Sequence, residues 1–156
     1  MDFRVSGLPV EPFQALFGLS DAELLKQGAR RCVADEKPGF PCRVSLEDAE
    51  PGESLLLVNY EHQPEPHSPY RAKGPVFVRE GLRDRFQGVN VIPEQLRLRT
   101  LSVRAYDDAG LMVDADVTDG KELETVIERF FKLPDTAYIH AHYAKRGCYA
   151  CRIDRA

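Results

Sequence analysis

Residues 96–117 alternate apolar and polar side chains with a period of two, and this pattern constrains the fold more than any other feature. The clearest alternation lies at the end of the segment LRLRTLSVRAYDDAGLMVDADV, where Met112, Asp114 and Asp116 alternate with four apolar residues. These are Leu111, Val113, Ala115 and Val117. Successive side chains of a strand point to opposite faces, so the alternation predicts a half-buried β-strand with these four residues facing inward. Turn-forming residues 107–110 would join it to the preceding strand as an antiparallel hairpin.

The first arm of this hairpin changes phase. Its apolar residues move from even positions, Leu96 and Leu98, to odd positions, Leu101 and Val103. One extra residue in a strand turns every later side chain to the other face. We therefore expect a β-bulge or a bend near Thr100.

The segment YIHAHYAKRGCYACRI predicts a second hairpin, with strands at 137–144 and 148–154 and a tight turn at 145–147. Gly147 at the last turn position favours a three-residue loop with a left-handed glycine. This register pairs His140 with Arg152 and places Cys148 and Arg152 on the face of His140 and His142. A four-residue loop would instead pair His140 with Cys151. Cys148 and Cys151 are three residues apart, so a regular strand would send their thiols to opposite faces.

Two helices are predicted by their caps. Ser20 and Glu23 form a capping-box pattern for a helix from Asp21 to Gln27, which Gly28 can end. The segment DGKELETVIERFFKLP repeats apolar residues at helical spacing, from a cap at Asp119 answered by Glu122 to a stop at Pro134.

Three further stretches are typical of strands. The run SLLLVNYEH, at 54–62, begins with unbroken apolar residues and predicts a central strand covered on both faces. GPVFVRE predicts a strand near 75–79, and ARRCVA predicts a short strand with Cys32 buried. A mostly antiparallel sheet with two to three helices is an α+β fold, and we expect one domain over residues 1–156.

Composition narrows the class of protein. The chain is 43% hydrophobic and 29% charged, which is typical of a globular protein, and its net charge of −4 comes from interspersed acidic and basic residues. Nucleic-acid binders concentrate basic residues on one face, so we expect no nucleic-acid partner. No stretch has the pattern of a signal peptide or a membrane span, which predicts a cytoplasmic protein with four reduced cysteines. Cofactors and oligomeric state stay open.

His140 and His142 are the strongest candidates for chemistry. On a strand they share one face, with backbones roughly 6.6 Å apart, so their rings can converge on one ion or one ligand. A metal site would need a third ligand, for which His62, His67, Glu61 and Cys148 are the candidates. The alternative is a pair of histidines on a solvated sheet face.

A second polar cluster follows the apolar run, where Asn59 and Glu61 point one way and Tyr60 and His62 the other. We expect a pocket between the His140/His142 face and a loop at 59–71, used for small-molecule binding or catalysis with histidine as acid–base and arginine as anion anchor. The alternative is a metal-binding or non-catalytic interaction protein. The candidate catalytic residues are His140, His142, Glu61, His62 and Cys148, and the candidate binding residues are Arg43, Tyr70, Arg71 and Arg152.

Six blocks along the chain resemble, in order, a bacterial family known as domain of unknown function 1203. They are GFPCRVSLEDAEPGE, LLLVNYEH, SPYR, GPVFVRE, the LSVRAYD-to-LMVDADV hairpin and YIHAHYAKRGCYACRIDRA. The resemblance implies a stand-alone cytoplasmic bacterial protein, and its blocks centre on Cys42, Glu61, His62, Tyr70, His140, His142, Cys148 and Tyr149. In the family pattern, asparagine often stands where this chain has Tyr143, and the place of Cys151 is often not cysteine. Both departures weaken the hypothesis that Cys148 and Cys151 act together as a Cys-x-x-Cys metal or redox pair.

Overall fold

The computed structural model describes residues 1–156 and has the expected α+β class, with mostly antiparallel sheet and few helices. The strands are β1 (Phe3–Ser6), β2 (Arg30–Val33), β3 (Ser54–Gln63), β4 (Ala72–Arg79), β5 (Gln87–Val89), β6 (Thr100–Tyr106), β7 (Met112–Asp119), β8 (Tyr138–Tyr143) and β9 (Tyr149–Arg155). The helices are α1 (Glu11–Gln14), α2 (Asp21–Lys26), α3 (Glu94–Arg97) and α4 (Leu123–Phe131), and a 3₁₀ turn at Gly120–Glu122 precedes α4.

The strands form two antiparallel sheets. The large sheet has six strands in the order β5-β1-β9-β8-β6-β7, and the small sheet has three in the order β2-β3-β4. The C-terminal hairpin β8–β9 therefore lies in the centre of the large sheet, where both neighbours of β8 are paired strands. This position buries all six residues of β8.

One face of the large sheet carries the main core. Helix α4 presents Leu123, Val126, Ile127, Phe130 and Phe131 to this face, as its helical periodicity predicts. Apolar residues of β6, β8 and β9 pack against the helix, among them Val103, Ile139 and Ile153. The opposite face of the large sheet meets the small sheet and the first helices, through a second cluster that includes Phe13, Val76 and Tyr149.

The local signals of the sequence are confirmed. Ser20 and Glu23 form both bonds of the capping box of α2, and Gly28 follows the helix with a φ of 70°. Leu55 and Leu56 are both fully buried although they point to opposite faces of β3, so the start of this central strand is covered on both sides as predicted.

Three expectations about the remaining elements need correction. Of the bulge or bend expected near Thr100, the structure has the bend, at Arg99, but the residues before it form α3 rather than a strand. Asp119 caps the 3₁₀ turn by accepting a hydrogen bond from Lys121 N, but Glu122 does not complete the expected capping box. Cys32 lies in the predicted strand but is half-buried, since β2 is an edge strand of the small sheet.

The inward face of β7 is also the reverse of the prediction. Leu111, Val113, Ala115 and Val117 are exposed, and Val117 retains 64% of its accessible surface. β7 is the edge of the large sheet, and its pairing sets Asp116 opposite the core residue Val103. Asp116 therefore faces α4, where Arg129 pairs with it.

No helix of the structure is long and apolar enough to cross a membrane.

Candidate metal centre

The pairing of β8 places its two histidines on the face away from α4. His140 lies opposite Arg104 of β6 and Arg152 of β9, and His142 lies opposite Ser102 and Tyr149. The shared face and the His140–Arg152 pair agree with the predicted register. Gly147 has the predicted left-handed conformation, with a φ of 78°.

A register shift between Ala141 and His142 changes the partner strand near the turn. β9 contributes one extra residue here, so that Ala141 pairs with Cys151 and His142 pairs with Tyr149. An extra residue turns the side chains beyond it to the other face. Tyr149 therefore joins the histidine face, and its ring lies 5.1 Å from that of His140.

The third histidine comes from the small sheet. β3 and β4 shift register between Tyr60 and Gln63, and the consecutive side chains of His62 and Gln63 both reach the large sheet. His62 stacks on the Tyr149 ring at 5.2 Å and 11°, while Gln63 donates a hydrogen bond to Tyr138 Oη at 2.9 Å. The strand thus extends to Gln63, in agreement with the strand predicted at 54–62, and only residues 64–71 of the expected 59–71 loop connect it to β4.

His62, His140 and His142 form a compact group. One ring nitrogen from each lies within 4.8 Å of the others, and the group contains no carboxylate or thiol. The ring of His62 lies 5.1 Å from that of His142 and 6.5 Å from that of His140. We refer to these three residues as the histidine triad.

Each ring of the triad has a buried nitrogen without a hydrogen-bond partner in the protein: His62 Nδ1, His140 Nδ1 and His142 Nε2. His142 Nδ1 donates to the carbonyl oxygen of Gly147 at 3.1 Å, so that the lone pair of this ring lies on Nε2. In a metal-bound histidine, one ring nitrogen usually donates a hydrogen bond to a backbone carbonyl or a carboxylate while the other binds the metal. His142 has this hydrogen bond, and its second nitrogen is free to bind.

Burial keeps the triad uncharged. Desolvation is the main cause that lowers the pKa of all three rings, and it lowers the pKa of His142 to about 4. The positive charge of Arg104 acts in the same direction on all three. The imidazoles are therefore neutral at pH 7, which is the protonation state that binds metals and accepts protons.

The triad has the donor chemistry of a transition-metal site. Tetrahedral Zn²⁺ with Zn–N bonds of about 2.0–2.1 Å holds its nitrogens about 3.4 Å apart, so inward movements of about 1 Å would complete the geometry. Three neutral imidazoles suit zinc and its neighbours in the first transition row. Three protein ligands also leave one position for water or a ligand, as catalytic zinc sites do.

A cleft of about 370 Å³ leads to the triad. His62, His140 and Tyr149 line it, together with Glu61, Arg152, Asp154, Arg4 and Arg85. This volume is that of a small-molecule site. The cleft joins the histidine face to the end of β3, which are the two regions that the sequence analysis singled out.

Four further candidate residues lie at or near this cleft and have partners of their own. Glu61 pairs with Arg71 at 3.2 Å, and Arg152 pairs with Asp154 at 2.8 Å while its guanidinium lies 4.1 Å from the Tyr138 ring centroid. Tyr70 is exposed and contacts the edge of Tyr106. Neither Tyr70 nor Arg71 lines the cleft.

Cys148 and Arg43 form a separate site, and the prediction that Cys148 shares the histidine face is wrong. The bulge that brings Tyr149 to that face leaves Cys148 packed against the main core, the same cluster that holds Cys151. Arg43 is buried and donates to Cys148 Sγ at 3.1 Å and to the Tyr149 carbonyl at 2.7 Å. Both residues line a different cavity of about 580 Å³.

Arg104 was missed by the sequence analysis. It alternates with the core residues Val103 and Ala105, so it faces away from the core, and the pairing of β6 with β8 brings it opposite His140. The alternation was visible in the sequence, but the strand order β8-β6 was not.

The comparisons with known proteins give one match. A family model described as a protein of unknown function, DUF1203, matches residues 39–155 of the 156-residue chain, a range that includes all three histidines of the triad. No curated protein and no solved structure matches significantly. The family expected from the six sequence blocks is thereby confirmed, and the chain belongs to DUF1203.

Proposed function

We propose that this protein binds a divalent transition-metal ion of the zinc class through the histidine triad, and a small molecule in the adjoining cleft. The observation that carries the proposal is the set of three buried, unpartnered ring nitrogens on three converging imidazoles. Leaving a buried polar atom unpaired costs about 1–3 kcal/mol, and an ion coordinated through these three nitrogens would remove that cost for all three rings.

The burial of the triad also supports metal binding. His140 and His142 are 3% and 1% exposed, and neutral rings need not lose a proton before they coordinate an ion. The aromatic rings of Tyr138, Tyr106 and Tyr149 contact His140 at centroid distances of 5.1–5.2 Å, so this ligand is enclosed by aromatic side chains.

The test is a metal titration of untagged, chelator-treated protein. Elemental analysis after incubation with Zn²⁺, and visible absorption during titration with Co²⁺, should show one ion per chain. His62→Ala, His140→Ala and His142→Ala should each weaken binding by about 100-fold or more, since each removes one of three ligands. His67→Ala is the matched control, because His67 is the remaining histidine and is exposed. Equal metal affinity in all four variants, or none in the wild type, would refute the proposal.

A second candidate is a metal-free pocket in which the histidines act as acid–base groups. The observation that favours it is that neutral rings of His62 and His140 line the cleft, where they can accept a proton from a bound molecule. The same chelator-treated protein decides between the two. Small-molecule binding that is equally strong with and without metal would favour the metal-free pocket.

A further inference from the structure

The ligands of the triad contribute no negative charge. No carboxylate or thiol belongs to the group, so a divalent ion bound there keeps both positive charges. Two of its three ligands are almost fully buried, and a charge removed from water is costly unless an opposite charge compensates it.

The nearest charged side chains on the sheet add to this imbalance. His140 lies between Arg104 and Arg152 in the strand register. Asp154 neutralises Arg152, but Arg104 forms no ion pair, and its guanidinium donates a hydrogen bond to Ser102 Oγ at 3.3 Å. The surroundings of a bound metal would therefore carry a net positive charge.

The cleft that leads to the triad also has a net positive charge, because it has more arginines than its carboxylates can pair with. Its two carboxylates are already paired, Glu61 with Arg71 and Asp154 with Arg152. Arg4 and Arg85 line the same cleft and form no ion pair. The cleft thus presents two free guanidinium groups, which bind carboxylate or phosphate oxygens through paired hydrogen bonds.

We infer that the exogenous ligand of this metal centre is a small oxyanion that enters through the cleft, with its charge matched by the metal, Arg104 and the guanidinium groups of Arg4 and Arg85. The inference rests on the proposed metal binding and adds the class of ligand. The cleft volume of about 370 Å³ limits that ligand to a small organic acid or a phosphate compound of similar size.

The experiment uses the Co²⁺-loaded full chain, because the visible absorption of Co²⁺ changes when its fourth ligand changes. Acetate and inorganic phosphate are titrated separately, with acetamide as the uncharged counterpart of acetate. We expect saturable spectral changes with an anion and none with acetamide. Tighter binding of acetate assigns the site to carboxylates, and tighter binding of phosphate assigns it to phosphates.

Variants test the assigned residues. Arg85→Gln should weaken anion binding about threefold to tenfold without changing Co²⁺ affinity, because the residue lines the cleft but belongs to no ligand set. Arg83→Gln is the matched control, since Arg83 is exposed on the same segment and does not line the cleft.

Arg104→Gln should have two opposite effects. Removing a positive charge beside the metal should raise Co²⁺ affinity about threefold in the absence of anion, and should lower anion affinity. A merely structural role of Arg104 would lower both. Retained Co²⁺ binding with a spectrum that ignores both anions would overturn the inference and leave the metal proposal standing. Absence of Co²⁺ binding in the wild type would overturn both.

Discussion

Replacing His140 with leucine should make the metal-free protein more stable. The His140 ring makes no hydrogen bond in the protein, its Nδ1 is buried, and only 3% of the residue is exposed. Relieving one unpaired buried nitrogen contributes about 1–3 kcal/mol. Loss of the tilted and edge contacts with the surrounding tyrosine rings costs about 0.5–1.5 kcal/mol. The expected result for His140→Leu is a free energy of unfolding about 1 kcal/mol higher than that of the wild type.

His142→Leu is the matched comparison. It relieves the same kind of unpaired nitrogen, Nε2, but removes two interactions. One is the edge contact with the Tyr149 ring, at 5.8 Å, and the other is the hydrogen bond from Nδ1 to the Gly147 carbonyl, which is worth about 1 kcal/mol. We therefore expect almost no change in its free energy of unfolding. The order of stability without metal should be His140→Leu, then His142→Leu and the wild type together.

Urea unfolding followed by circular dichroism, in buffer with a chelator, measures these differences. Added Zn²⁺ should reverse the order, because an ion present at 100 times its dissociation constant stabilises the wild type by about 2.7 kcal/mol and neither variant to that extent. A His140→Leu protein that is destabilised by 1 kcal/mol or more in chelator would refute the reasoning, since it would show that the ring nitrogens are satisfied without metal.

Two further predictions concern stability away from the metal. Glu80 accepts hydrogen bonds from Arg31 at 2.7 Å and Ser54 at 2.6 Å, and these lower its pKa from 4.5 to about 2. A lowered carboxyl pKa stabilises the fold above pH 4.5, and this contribution of about 3 kcal/mol is lost as the pH falls toward 2. Urea unfolding at pH 7 and pH 3 should therefore differ more for the wild type than for Glu80→Gln, and equal differences would contradict the assignment. Gly147→Ala should cost about 1 kcal/mol in the same assay, because Gly147 has a left-handed φ of 78° that alanine disfavours. An unchanged midpoint would show that the turn adapts.

Local signals in the sequence predicted local structure well. The capping box of α2, the amphipathic face of α4 and the left-handed Gly147 each depend on residues within a few positions of one another. Such features need no knowledge of the rest of the chain, because hydrogen bonds and apolar contacts within one turn decide them.

Features that depend on neighbouring elements were predicted less well. The prediction exchanged the buried and exposed faces of β7. The alternation shows that the two faces of a strand differ, but it does not show which of them α4 covers. The helix α3 was read as strand because Leu96 and Leu98 also fit a period of two. Leu96 is buried, whereas Leu98 is 52% exposed, so the apparent alternation did not report one common face.

In the candidate site, too, the features set by local geometry were predicted and those set by packing between elements were not. The shared face of His140 and His142 follows from strand geometry alone and was predicted. The choice of His62 among four possible third ligands required the packing of one sheet on the other, which the sequence does not reveal. The misplacement of Cys148 has one cause, the extra residue in β9 opposite the step from Ala141 to His142.

The irregular positions of the sheets all adjoin the triad. The shift between Tyr60 and Gln63 directs His62 to the large sheet, and the shift between Ala141 and His142 brings in Tyr149, on which His62 stacks. The third shift adjoins Tyr106, whose ring lies 5.1 Å from that of His140. Each shift disrupts regular pairing, and bulges are enriched next to active sites, where they redirect side chains. The position of all three irregularities around these histidines is the arrangement expected if their side chains form a site, and it agrees with the proposed role of the triad.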